Sequence, residues 1–156
     1  MYARIVMHYI NFNALDKTYY LLDTFTGLTD EYSTPEEMVK NENFGYQKLV
    51  GLYEKVKHSF RDFNVEIIQG TVPETLPQVK TNQICYLSVD MNCVLPEIAA
   101  LDFFWDKLVP GGVIILDDYG YGNNRDQKLA HDEWAAKKNI KILSLPTAQG
   151  LIIKSR

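Results

Sequence analysis

The sequence predicts an α/β protein built on a mostly parallel sheet, and three features carry that expectation. Strand-like and helix-like segments alternate along the chain with short connections, the pattern of strands returned to one sheet by helices on its faces. Three of the strand-like runs close on aspartates, at Asp23, at Asp90 and at the tandem pair Asp117 and Asp118. The last two apolar runs stand close enough in sequence to fold back on each other as a hairpin.

Taken in order, Tyr2 to about Phe12 sets Ile5, Val6, Tyr9 and Ile10 at helical spacing. Lys17 to Phe25 is β-branched and aromatic enough for a buried strand. Ser33-Thr34-Pro35-Glu36-Glu37 opens a helix: hydroxyl caps, a proline in the first turn, then acids suited to the positive helix end. Helical segments continue to about His58, with a break near Gly45. Val65 to Gln69 reads as a strand stopped by Gly70 and the Pro73–Pro77 region, and Ile84 to Val89 as another. Pro96 and Glu97 open a helix with Ile98, Leu101, Trp105 and Leu108 on one face. Pro110-Gly111-Gly112 is expected to end it before a strand over Val113 to Leu116. A helix over Arg125 to Asn139, a strand over Ile140 to Leu145, a turn and a strand over Leu151 to Lys154 complete the chain. With no repeat and no linker, residues 1–156 are expected to form one domain.

Composition narrows the function classes. The net charge is −4 and the basic residues are scattered, which argues against a nucleic-acid footprint. Lys55, Lys57, His58 and Arg61 read as a solvated helix face. Cys85 and Cys93 fall in different elements, without the spacing of a zinc site or disulfide framework. A reduced, cytoplasmic protein is the simple expectation. No apolar run approaches the roughly 18 residues of a membrane span, and the N-terminus lacks the pattern of a signal peptide.

In open α/β sheets, ligands bind outside the carboxyl ends of the strands. Asp23, Asp90, Asp117 and Asp118 are therefore expected along one edge. Any one of them is able to cap the next helix or turn. Four on one rim, two of them adjacent, would repel in a partly dry cleft. A divalent, oxygen-preferring cation such as Mg²⁺ or Ca²⁺ is the natural neutraliser.

The stretch V-P-G-G-V-I-I-L-D-D-Y-G, preceded by L-S-V-D-M-N-C-V-L-P-E-I-A-A-L-D-F-F-W-D-K-L, resembles the macrocin O-methyltransferase family. Y-L-L-D-T-F-T-G-L, I-I-Q-G-T-V-P-E-T-L-P and G-L-I-I-K are similar to three further motifs of that family, in the same order. The resemblance spans roughly Lys17 to Lys154 and implies a Rossmann-like class I methyltransferase fold. It implies S-adenosylmethionine (SAM) as methyl donor and Mg²⁺ or another divalent cation as metal. The acceptor would be a small-molecule hydroxyl, of a sugar or polyol. By position, Asp90, Asp117 and Asp118 match the metal ligands, and Asp23 the acid that accepts from the cofactor ribose. Gly70 and Thr71 fall where the adenine would pack.

Two departures qualify the resemblance. Asn92 stands where the family has a second acid, proposed as general base, and an amide takes no proton. His131 is the one histidine downstream, in a segment that reads as helix surface. The first strand and glycine-rich SAM loop of class I methyltransferases find no counterpart before Tyr2, so the fold is expected to be N-terminally truncated. Its neighbouring strands would then present unpaired edges, which invite association, including a homo-oligomer. Tyr119 and Tyr121 follow the acids on a glycine-flanked loop and are expected to be exposed there, in position to line a substrate pocket. Two other readings stay open: a non-catalytic methyltransferase-like domain, and a Mg²⁺-dependent phosphatase of the haloacid-dehalogenase type.

Overall fold

A computed structural model of the chain describes residues 2–43 and 50–155. Helix α1 (Tyr2–Tyr9) leads through a 3-10 turn into strand β1 (Tyr19–Asp23). Helices α2 (Pro35–Asn43) and α3 (Leu52–Phe60) separate β1 from β2 (Val65–Gln69). Strand β3 (Ile84–Val89), helix α4 (Val94–Trp105) and strand β4 (Leu108–Leu116) follow. Helix α5 (Arg125–Lys137) and the short strands β5 (Leu143–Ser144) and β6 (Gly150–Ile153) end the chain. The break expected near Gly45 lies outside the described residues.

Helix α2 starts where its sequence says it should. The Thr34 N–H donates to Glu37 Oε2 (2.7 Å) and the Glu37 N–H to Thr34 Oγ1 (3.2 Å), a reciprocal cap that satisfies two otherwise orphaned donors. Helix α4 begins two residues earlier than expected, because a proline in the first turn has no amide to lose. It also ends earlier, and Leu108 belongs to β4 rather than to the helix face. Pro110-Gly111-Gly112 lies inside that strand instead of terminating a helix. Gly111 takes φ +80°, and Gly112 packs so close to Leu108 that a Cβ would stand 2.7 Å from Leu108 Cδ1. The glycines thus let the strand bulge, and the register against β3 shifts there between Ile84 and Tyr86. At the other end, only Leu143–Ser144 of the expected Ile140–Leu145 strand pairs with β6, while Ile140 and Ile142 pack against the core.

The strands form two sheets. Strands β1 and β2 pair in parallel; a second sheet has the order β3-β4-β6-β5, parallel between β3 and β4 and antiparallel thereafter. Among the described residues no strand lies between β1 and β3, although their side chains meet. Tyr19 and Tyr86 have ring centroids 6.3 Å apart, and Tyr20 and Leu22 join Ile84, Leu87 and Met91 around one apolar cluster.

Helix α4 packs on both sheets. Leu101 sits in the cluster of Val89, Ile114, Leu116, Trp134 and Ile152. Ala100 and Phe104, from the adjoining side of the helix, sit in the cluster of Ile68, Leu76 and Val79. A third cluster joins α1 and α3 to the β1–β2 sheet through Met7, Phe12 and Phe60. Phe104 is 6% exposed and packs in the cluster that draws on strands of both sheets. Phe104→Ala is expected to cost about 3–5 kcal/mol, measured as a fall in the urea midpoint of unfolding.

Candidate functional site

The four aspartates stand at strand ends, as the alternation of elements requires. Asp23 closes β1, Asp90 follows β3, and Asp117 and Asp118 follow β4. The Asp117 N–H donates to Val89 O (3.0 Å), so the pair continues the β3–β4 ladder and emerges beside Asp90. Asp23 is near enough to add to the negative field at Asp90. The acids therefore share one rim, with the gap between β1 and β3 in its middle.

The field on that rim is strongly negative. Burial, followed by the charges of Asp117, Asp118, Glu97 and Asp23, pushes the Asp90 carboxyl up to about 6. Burial, followed by Glu97 and Asp117, does the same to Asp118, again to about 6, with opposing help from an Asn124 hydrogen bond and from His131. Asp90 reaches solvent on one side, yet protein crowds the rest of its surroundings. The Asp118 Oδ2 atom is buried with no hydrogen-bond partner.

Among the described residues, no group of three or more His, Cys, Asp or Glu side chains is arranged to hold a metal ion. On the same rim, Gln149 Nε2 donates to Asp117 Oδ1 at 2.7 Å.

The residues matched to the cofactor lie together at the end of the other sheet. Asp23 pairs with Gln69 in the β1–β2 ladder, and the Gly70 N–H donates to Asp23 O (3.0 Å). Asp23 Oδ1 accepts the Phe25 N–H at 2.6 Å, tightening the loop after β1. Gly70 has φ +145°, and a Cβ there would lie 2.7 Å from Thr75 Cγ2, so this turn requires glycine. The Thr71 hydroxyl donates to Glu74 Oε2 (2.7 Å) within its own turn. Asn92 follows Asp90 with φ +57° and faces a shallow polar cleft shared with Lys40 of α2 and Asn124.

Two expectations are corrected here. His131 is buried, 1% exposed, with Nε2 3.0 Å from Glu97 Oε2. That approach departs from hydrogen-bond geometry, which leaves both ring nitrogens buried without a hydrogen-bond partner. Tyr119 is also buried, stacked on His131 with ring centroids 6.3 Å apart and donating to Asp132 Oδ1. Tyr121 is exposed as expected. Glu37 and Glu97 carry hydrogen bonds to the Asp90–Val94 loop that the sequence reading missed. The available signal for Glu97 was its place one turn before Leu101, on the apolar side of α4.

Parallel strands ending in a common acidic rim, with an antiparallel hairpin at one side, define the Rossmann-like α/β fold of class I methyltransferases. The same fold appears in the O-methyltransferase NovP (TM-score 0.75, 23% identity, 92% of this chain and 62% of that one). It appears also in CalS11, a calicheamicin methyltransferase (TM-score 0.66, 18% identity, 86% of this chain and 59% of that one). The chain belongs to the macrocin-O-methyltransferase (TylF) family, whose sequence model matches residues 3–143. It is 28% identical, over a 116-residue alignment spanning 69% of this chain, to an 8-demethyl-8-(2,3-dimethoxy-α-L-rhamnosyl)-tetracenomycin-C 4'-O-methyltransferase of Streptomyces olivaceus. The chain spans 44% of that relative's length. Among the described residues, no helix is long and apolar enough to cross a membrane. Family membership removes the phosphatase reading.

The raised carboxyls give a pH dependence of known sign. A carboxyl held at about 6 in the folded protein and about 4 in the unfolded chain binds more protons when folded. Stability therefore falls as pH rises between about 4 and 6 and stays reduced above that window. Thermal melts in chelator should show this decline. Asp118→Asn should flatten it, and a variant slope equal to that of the parent would contradict the assignment.

Proposed function

We propose that this chain carries out SAM-dependent O-methylation, with Asp23 and Gly70 on the donor side and Asp90, Asp117 and Asp118 on the acceptor side. The observation that carries the reading is the shared rim: the end of β1 and the ends of β3 and β4 face one another across the gap. Thr71 stands beside Gly70, though its hydroxyl is already engaged by Glu74.

In its chemistry, though not as a preformed cluster, the donor set suits a divalent cation. Three carboxylates supply hard oxygen ligands of the kind Mg²⁺ prefers, and the orphaned Asp118 Oδ2 has a lone pair to give. A bound Mg²⁺ would supply Lewis acidity that lowers the pKa of a substrate hydroxyl, and SAM would supply the methyl group. The protein's own task is then placement, since holding oxygen and methyl in line removes much of the barrier. Asn92 offers an amide to the acceptor but accepts no proton, so no side chain at that position serves as base. The substrate class favoured is a small molecule with free hydroxyls, as in the rhamnosyl group named for the Streptomyces olivaceus relative.

Asn92 also favours a second reading, in which the chain keeps the family fold without chemistry. Calorimetry with S-adenosylhomocysteine separates the two, run with and without Mg²⁺ on the chain and on a form carrying an added N-terminal strand and glycine-rich loop. Methyl-donor chemistry predicts binding by the extended form, weakened about tenfold or more by Asp23→Ala through loss of a charged hydrogen bond. Binding by neither form would leave the non-catalytic reading standing.

A further inference from the structure

The loop from Asp90 to Val94 is held by two buried glutamates that stand on helices rather than at strand ends. Glu97, 2% exposed in the first turn of α4, accepts the Met91 N–H on Oε1 at 3.1 Å. The same oxygen accepts Gln127 Nε2 of α5 at 2.9 Å. Glu37, 8% exposed in α2, accepts the Val94 N–H on Oε1 at 2.8 Å across 57 residues of chain, while its Oε2 closes the cap of its own helix. Between the two anchored amides stand Asn92 and Cys93. Cys93 occupies the N-cap position of α4 and makes no side-chain cap.

This is an expensive way to finish a helix. A serine, threonine or aspartate at the N-cap satisfies the first amides locally, whereas a carboxylate removed from water is costly unless polar partners answer it. Here one oxygen of each glutamate is answered by a backbone amide of the loop that bears Asp90 and Asn92, and Glu37 Oε2 by the Thr34 amide of its own cap. Glu97 also reaches the second acidic loop: its Oε2 faces His131, whose ring stacks on Tyr119, the residue after Asp118.

We propose that Glu97 and Glu37 are positioning residues, which clamp the Asp90–Val94 loop at both ends and set it against the Asp117–Tyr119 loop so that the carboxylates face the acceptor in one arrangement. The inference rests on the reading of this rim as a divalent-cation site. Residues that orient metal ligands typically change metal affinity by about 10- to 100-fold when removed.

Two measurements on the chain test it, using Glu97→Ala, Glu97→Gln, Glu37→Ala and Glu37→Gln. Residue-resolved amide exchange reads the clamp itself, and Mn²⁺ titration followed by paramagnetic resonance reads the rim. Glu97→Ala should speed exchange at Met91 by more than about tenfold and spare Val94, and Glu37→Ala should do the reverse. Both should weaken Mn²⁺ binding by about 10- to 100-fold. The glutamine variants, whose carbonyl still accepts the amide, should recover most of it; they also serve if an alanine variant fails to fold. Unchanged Mn²⁺ affinity in the folded alanine variants, or a loss that glutamine does not rescue, overturns the proposal. Absence of Mn²⁺ binding by the parent chain would instead remove the cation reading. The clamp would then stand or fall on exchange at Met91 alone, and equal rates in parent and Glu97→Ala would refute it.

Discussion

Burial of α4 against two sheets at once is the interaction on which the rest of the structure depends. Among the described residues the sheets exchange no backbone hydrogen bonds, so apolar contacts join them, and α4 gives Leu101 to one core and Ala100 and Phe104 to the other. Close packing makes such a joint stiff, since interiors tolerate little change of volume. The rim inherits that stiffness. Asp23 on one sheet and Asp90 and Asp117 on the other keep their spacing because one helix holds both floors.

Electrostatics then acts on an already built frame. Burial, and then the charge of neighbouring acids, raises Asp90 and Asp118. A frame held only by hydrogen bonds among those loops would relax by splaying the acids into water. Glu37 and Glu97 oppose that by fastening loop amides from within. They add negative charge to the same neighbourhood, so geometry is kept at some electrostatic cost.

Much of the fold is legible in the sequence because burial writes a plain pattern. Val65–Gln69 and Ile84–Val89 read as strands and are strands to the residue, since both are apolar runs bounded by clear breakers. The acids are legible for the same reason, as each ends such a run. What stays illegible depends on partners distant in sequence. Pro110-Gly111-Gly112 reads as a stop, but β3 and β6 on either side make it a bulged strand. His131 reads as surface because polar residues flank it in the sequence, and only the fold brings Glu97 to it. Glu37 reads as an acid suited to the positive end of its own helix; nothing local reveals that one of its oxygens caps that helix and the other the start of α4.

The gap between β1 and β3 has a direction. Both walls run the same way, with Tyr19 beside Tyr86 at one end and Asp23 near Asp90 at the other. Parallel pairing uses evenly spaced, slanted hydrogen bonds on each side, so a segment satisfying both walls in parallel must enter with a single orientation. Its carboxyl end would then arrive among the acids. The free edges of β1 and β3 are thus directional: a chain pairing in parallel with either would bring its next residues to the rim, and one pairing backwards would carry them to the opposite edge.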